Sequence, residues 1–193
     1  MWPPDLTQGT YPRILGLSDA PSQWASDAHQ KSAAVLALFI PGPHPGEPLE
    51  LLFTKRSAHV RTHKGQIGFP GGRRELKDSS PVDTALREAH EEVGLAPDQV
   101  CVLGSLPLVK SLELHPVIPI VAYAPIRLTD LKASDEEVAQ MFSVPWTAFT
   151  RQEQVRTRFN IFGLWRDTAV YPAGGHHIWG LTAKIITLAN LIL

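Results

Sequence analysis

Glu88, Glu91 and Glu92 stand at spacings of three and four within Thr84 to Val93, a stretch that reads as a helix, so their carboxylates fall on neighbouring positions of one face. Three acids crowded there repel one another, and a stable surface helix would normally intersperse bases among them. The arrangement makes most sense if something positive sits against it. Oxygen-only ligands on a short rigid element suit a hard divalent cation, Mg2+ or Mn2+, and disfavour His90 as a ligand. Glu88 and Glu92, four apart, can share one ion, while Glu91 could ligate a second ion or accept a proton from water. Arg87 is four residues from Glu91 and could hold that carboxylate in place. Spacing alone leaves the alternative of a solvated acidic helix face.

The segments around this helix decide whether the acids meet anything. Phe69-Pro70-Gly71-Gly72 is expected to be a turn whose glycines let backbone approach whatever the acids hold, and Gly94 is a natural cap at the helix end. Lys55 to Lys64 carries four Lys or Arg and two His in ten residues. Such a run is either a solvated connector or, since it enters directly into the glycine turn, the place where an anionic substrate approaches. Arg56, Arg61 and His63 are its candidate phosphate ligands, guanidinium forks being matched to phosphate oxygens. His176 and His177, beside Gly174-Gly175, either lie in a substrate loop or are surface polar residues, and Trp179 is expected in the core.

Taken in order, residues 1–30 read as an N-terminal arm packed on a single domain spanning residues 31–193. Ala33 to Ile40 is a continuous apolar run, expected as a central strand buried on both faces, with Leu49 to Thr54 returning beside it after a long turn. Val100 to Val109 and Val117 to Tyr123 are further strands, Asp135 to Phe142 is expected to be a short helix capped by Asp135, and Pro145 to Thr150 a helix or turn. Residues 151–175 suggest a hairpin, and Ile178 to Leu193 a closing helix. Strands alternating with helices of unlike length predict an α/β fold with a mixed sheet and helices on both faces.

Composition bounds the partners. The 193 residues are 44% hydrophobic, ample for a core, and the net charge of -1 argues against a broad polyanion surface, hence against nucleic acid. The single cysteine, Cys101, cannot form an internal disulfide, and neither a spanning stretch nor a signal-peptide pattern is visible, so a cytoplasmic protein without a membrane partner is expected.

Arg87-Glu88-Ala89-His90-Glu91-Glu92-Val93-Gly94-Leu95, preceded by Gly72 and Asp78, resembles the signature of the Nudix hydrolases, with Asp where Glu is usual and one extra residue before Arg87. Leu51-Leu52-Phe53-Thr54-Lys55-Arg56-Ser57, then Arg61, Gly65 and Phe69-Pro70-Gly71-Gly72, is similar to the motif upstream of that box in coenzyme A pyrophosphatases. Both departures from the box fit that branch, and Glu136 to Ala139 and Ile178 to Ala183 resemble further segments of it. The resemblance implies a Nudix-type α/β/α sandwich and metal ligands from Glu88, Glu92 and Glu91, with the Gly72 carbonyl as a further ligand. It makes Glu137 either a distal acid reaching the metal centre or an ordinary helix acid. The implied activity is hydrolysis of the coenzyme A pyrophosphate to 4'-phosphopantetheine and adenosine 3',5'-bisphosphate, by a monomer or homodimer, with Arg56, Arg61 and His63 on the adenosine phosphates. Two alternatives stay open: hydrolysis of another nucleoside diphosphate derivative such as ADP-ribose, and a nucleotide-binding regulator without turnover.

Overall fold

The structure is a computed structural model and describes residues 17–24, 32–59, 64–111, 115–150, 155–161 and 164–193. In chain order its elements are β1 (Ala33–Ile40), β2 (Glu50–Arg56), β3 (Ile67–Gly68), β4 (Gly71–Arg73), α1 (Pro81–Val93), β5 (Cys101–Ser105), β6 (Val109–Lys110) and β7 (Pro116–Tyr123). They continue with β8 (Val138–Pro145), α2 (Thr147–Thr150), β9 (Val155–Ile161), β10 (Leu164–Ala173), β11 (His176–Trp179) and α3 (Gly180–Ile192).

Strands β1 and β7 pair in parallel from Ala33 against Val117 to Phe39 against Tyr123. The other pairings among the described strands are antiparallel: β2 and β4 share one edge of β1, β5 and β6 line the far edge of β7, and β3 and β8 pair with β2. The sheet is therefore mixed, as expected. A second, three-stranded sheet runs β11-β10-β9.

Alternation along β1 explains its unbroken apolar sequence. Ala34, Leu36, Leu38 and Ile40 pack with Ala85, Ala89 and Val93 of α1 on one face. Ala37 and Phe39 join Phe149 of α2 and Ala183, Ile185, Ile186 and Ala189 of α3 on the other. A strand covered on both sides has no polar side to display. Of the amino-terminal segment, Ser18 exchanges two backbone hydrogen bonds with Ser105 at 3.2 and 2.9 Å, and Trp24 is buried, donating its backbone N–H to the Ser79 carbonyl at 3.2 Å.

Three expectations fail here. Residues from Val138 form strand β8, not a helix beginning at Asp135: pairing along β2 from Glu50–Pro145 to Thr54–Met141, with Phe142 stacked on Phe53 at 5.6 Å, outweighs a weak local helix preference. Gly71 and Gly72 lie in strand β4 against Val35 and Ala34 and not in a turn. Trp179 is only partly buried at the end of β11, because the closing helix starts at Gly180.

Candidate active site

Helix α1 begins at Pro81, three residues before the expected Thr84, and the cause is local. Ser80 Oγ accepts the Asp83 N–H at 3.1 Å while Asp83 Oδ2 accepts the Ser80 N–H at 3.0 Å, a reciprocal cap that precedes a proline already fixed near helical φ. At the other end Gly94 adopts φ 70° and closes the helix. The small buried residues Ala85 and Ala89 let α1 lie close on the sheet, with its acidic positions against β4.

There the two glycines of β4 are required for different reasons. A Cβ on Gly71 would meet the Ala34 carbonyl oxygen at 2.5 Å, a clash with the sheet itself. One on Gly72 would meet Glu88 Oε1 at 2.5 Å and Oε2 at 2.6 Å, so the Glu88 carboxylate rests directly on glycine backbone.

Glu92 is the more enclosed acid, its side chain 3% exposed. Its Oε2 accepts the Gly71 N–H at 3.3 Å and its Oε1 accepts from Arg56 Nη1 at 3.2 Å. Arg56 Nη2 lies 3.9 Å from Glu137 Oε2. Strand β8 brings Glu137 there, since the Glu137 carbonyl accepts the Ser57 N–H at 2.8 Å beside the end of β2. The turn that leads into the strand replacing the expected helix thus sets Glu137 beside Arg56.

Arg87 organises the outer half. Its Nη1 reaches Glu91 Oε2 at 2.9 Å and Glu88 Oε1 at 3.0 Å. Its Nε and Nη2 each donate to Asp78 at 3.0 Å, and Nη2 also donates to the Arg73 carbonyl at 2.9 Å. Asp78 is buried and accepts further bonds from Thr84 Oγ1 and the Glu75 N–H, both at 2.8 Å. Asp78, marked in the sequence only as a substituted box position, is therefore the anchor of Arg87. No periodicity could have exposed that role, because it sits in a loop.

Burial pushes the Glu92 carboxyl up to about 7; nearby Glu88 and Glu137 add to this, while Arg56 and the Gly71 N–H oppose it. Glu88 is raised as well, by burial first and then by Glu91 and Glu137, against the pull of Arg87. At Asp78 burial works against ionisation, but the hydrogen bonds from Arg87, Glu75 and Thr84 outweigh it and hold the carboxyl below its ordinary value. Arg87 is raised, chiefly by its bond to Asp78.

Among the described residues no three acidic or imidazole groups are arranged to ligate one ion, the carboxylates being shared out between two guanidiniums. The donor chemistry nevertheless fits a hard divalent cation. Every donor is oxygen, and the negative forms of Glu88 and Glu92 are disfavoured where they stand, which a cation would offset. The backbone closes on Glu88 where any side chain would collide.

Of the residues singled out in the sequence, Gly72, Arg87, Glu88, Glu91, Glu92, Arg56 and Glu137 form one connected group. Arg61 and His63 lie outside the described residues. His176 packs its ring on Phe142 at 4.2 Å, in the core region that also holds α3, and His177 is exposed on β11. His90 turns its Nδ1 to the Leu95 carbonyl at 3.2 Å.

A NUDIX domain profile matches residues 30–159. The chain is 37% identical over 177 residues to a protein named uncharacterized Nudix hydrolase NudL from Cronobacter sakazakii, covering 86% of this chain and 84% of that one. A NudL of Enterobacter sp. is 39% identical over 160 residues, 82% of this chain and 80% of the relative. Among solved structures, the Nudix hydrolase RenU of M. smegmatis superposes with a TM-score of 0.50 at 25% identity, covering 61% of this chain and 72% of that one. A MutT/nudix family protein from Enterococcus faecalis reaches 0.53 at 15% identity over 88% of this chain and 64% of its own, a likeness of fold alone.

Proposed function

This chain belongs to the Nudix family of hydrolases, whose members generally use divalent metal ions such as Mg2+ or Mn2+, and from that premise we propose that it hydrolyses the pyrophosphate of coenzyme A. The observation that carries the hydrolytic half is the closure of two carboxylates, the half-buried Glu88 and the buried Glu92, onto the Gly71-Gly72 strand, with a guanidinium attached to each. The coenzyme A half is supported by the upstream motif: its Arg56 contacts the acidic helix through Glu92, its Gly72 packs on Glu88 and its Gly71 donates to Glu92.

Glu88 and Glu92 would hold the cation, with Glu91, Glu137 and the Gly72 carbonyl as the remaining oxygen donors. When bound, it supplies charge neutralisation on the diphosphate and a water of lowered pKa. The protein's own residues do the rest. Glu91, about half exposed and held by Arg87, would take the proton of the attacking water where it is not itself ligating an ion. The water oxygen forms the new bond to phosphorus as the bridging P–O bond breaks, and the bridging oxygen leaves on the second phosphate as an anion. Asp78 keeps Arg87, and through it Glu91, from drifting. Arg56, with Arg61 and His63 from the same segment, serves the adenosine phosphates. The products are 4'-phosphopantetheine and adenosine 3',5'-bisphosphate.

Incubating the purified protein with Mg2+ or Mn2+ and, separately, coenzyme A, ADP-ribose and dinucleotide cofactors, followed by chromatography of the products, tests this. Coenzyme A cleaved fastest supports the proposal. Coenzyme A left intact while another diphosphate is cut moves the assignment to that substrate, and binding of all without cleavage of any leaves a nucleotide-binding regulator.

A further inference from the structure

The two arginines of the site are held very differently. Arg87 uses three nitrogens at 2.9 to 3.0 Å and its side chain is 12% exposed. Arg56 touches Glu92 through one nitrogen at 3.2 Å and Glu137 through another at 3.9 Å, and its side chain is 30% exposed. Both distances exceed the roughly 2.7–2.9 Å of a good charge-assisted bond. Moreover, its Nε is buried without a hydrogen-bond partner, a group that would gain by moving to an acceptor. Its backbone lies where the β2–β8 ladder slips register, between Lys55 and Arg56. Arg87 is a fixture, whereas Arg56 is a positive charge laid loosely across two carboxylates.

We propose that Arg56 is a placeholder: its guanidinium neutralises Glu92 and Glu137 in the ion-free protein, is evicted when a divalent cation takes Glu92, and swings to a phosphate of the incoming nucleotide. The inference rests on the hydrolase assignment above and adds an order of events to it. Cation and guanidinium compete for Glu92 Oε1, and once the ion is in place the two positive groups repel. The released fork is matched to a phosphate, whose own charge the ion does not fully cancel. One side chain thereby keeps the acids together before the ion arrives and hands them over afterwards.

The test compares wild type with Arg56→Met, which keeps the stem and removes the charge. Calorimetric titration of Mn2+ without substrate should give a Kd up to about fivefold lower in the variant, the weight of one partly exposed ion pair. In EDTA the variant should melt below wild type, and saturating Mn2+ should close that gap. With Mn2+ saturating, its KM for coenzyme A should rise while kcat changes less. An unchanged or higher Kd, a melting gap that persists equally in Mn2+, or an unchanged KM overturns the proposal. If Arg56→Met does not fold, Arg56→Lys, which keeps the charge and loses the fork, should lower the Kd by a smaller factor, and equality with wild type overturns it. Wild type that binds no Mn2+ at all would sink the hydrolase assignment itself, an outcome separate from equal Kd values in two proteins that both bind it.

Discussion

Asp78 and Arg87 face each other through two parallel hydrogen bonds, Nε to Oδ1 and Nη2 to Oδ2, each 3.0 Å long. The Asp78 side chain is 3% exposed and that of Arg87 12%, so solvent screens the pair little. Because the remaining nitrogen of Arg87 reaches Glu88 and Glu91, this one fork sets where two of the three helix acids stand.

Asp78→Asn should therefore disturb both stability and turnover. The amide presents one acceptor and points a donor at the guanidinium, leaving a largely buried Arg87 half-paired, which costs about 3 kcal/mol. Urea unfolding should show that loss, and kcat should fall at least tenfold as Glu91 loses its support. A variant with wild-type unfolding and wild-type kcat would contradict the anchoring role.

Glu92→Gln should separate chemistry from folding. Its amide cannot replace a buried carboxylate facing a cation, so turnover should drop by several powers of ten. Its fold should persist, and in EDTA the variant should be at least as stable as wild type because a penalised charge has gone. Retained turnover would favour a site elsewhere in the chain.

The pH dependence of the ion-free protein follows from the same residue. Glu92 has a carboxyl at about 7 in the fold against an ordinary value of 4.5, so between those limits the folded chain holds a proton that the unfolded chain has released. The stabilisation carried by neutral Glu92 is full below the unfolded value and is lost as pH rises through the folded one, up to about 3 kcal/mol. Asp78 works in the other direction: its contribution is present above its ordinary value and disappears as pH falls through the lowered one. Thermal melts in EDTA between about pH 5 and 8 should thus decline more steeply for wild type than for Glu92→Gln. Identical slopes would show that Glu92 is ionised throughout.

Gly72→Ala should injure the site more than the fold. The added methyl would lie 2.5 to 2.6 Å from the Glu88 carboxylate and must push it off the strand. Loss of metal-dependent activity of a hundredfold or so, with destabilisation of about 1–3 kcal/mol, is the expected pattern. Gly71→Ala, colliding with the Ala34 carbonyl, should cost more stability because backbone cannot step aside. Normal activity in Gly72→Ala would mean that Glu88 does not need its place on β4.

The sequence disclosed those parts of the molecule whose cause is short-range. The two-sided burial of β1, the Gly94 cap and the four-residue step from Arg87 to Glu91 follow from an unbroken apolar run, one residue's backbone freedom and helical periodicity. Long-range pairing was hidden. Nothing within Asp135 to Phe142 announces that β2 offers an open edge to Val138 and Phe142, nor that Asp78 lies beneath Arg87. The Ser80-Pro81-Val82-Asp83 start is legible, a serine with an acid three residues on and a proline between, and it marks a helix start that the spacing of the glutamates does not reveal. Sequence assigns Arg56 to phosphate alone; its grip on Glu92 depends on where β2 ends relative to α1.

Helix α1 lies inside the long stretch of chain that joins β1 to its parallel neighbour β7. A ligand that clasps Glu88 and Glu92 therefore tightens the tether between the two middle strands, and its grip is felt wherever those strands must part. Protection on binding should consequently spread through the slowest-exchanging amides of β1 and β7, well beyond the rim where the nucleotide lands.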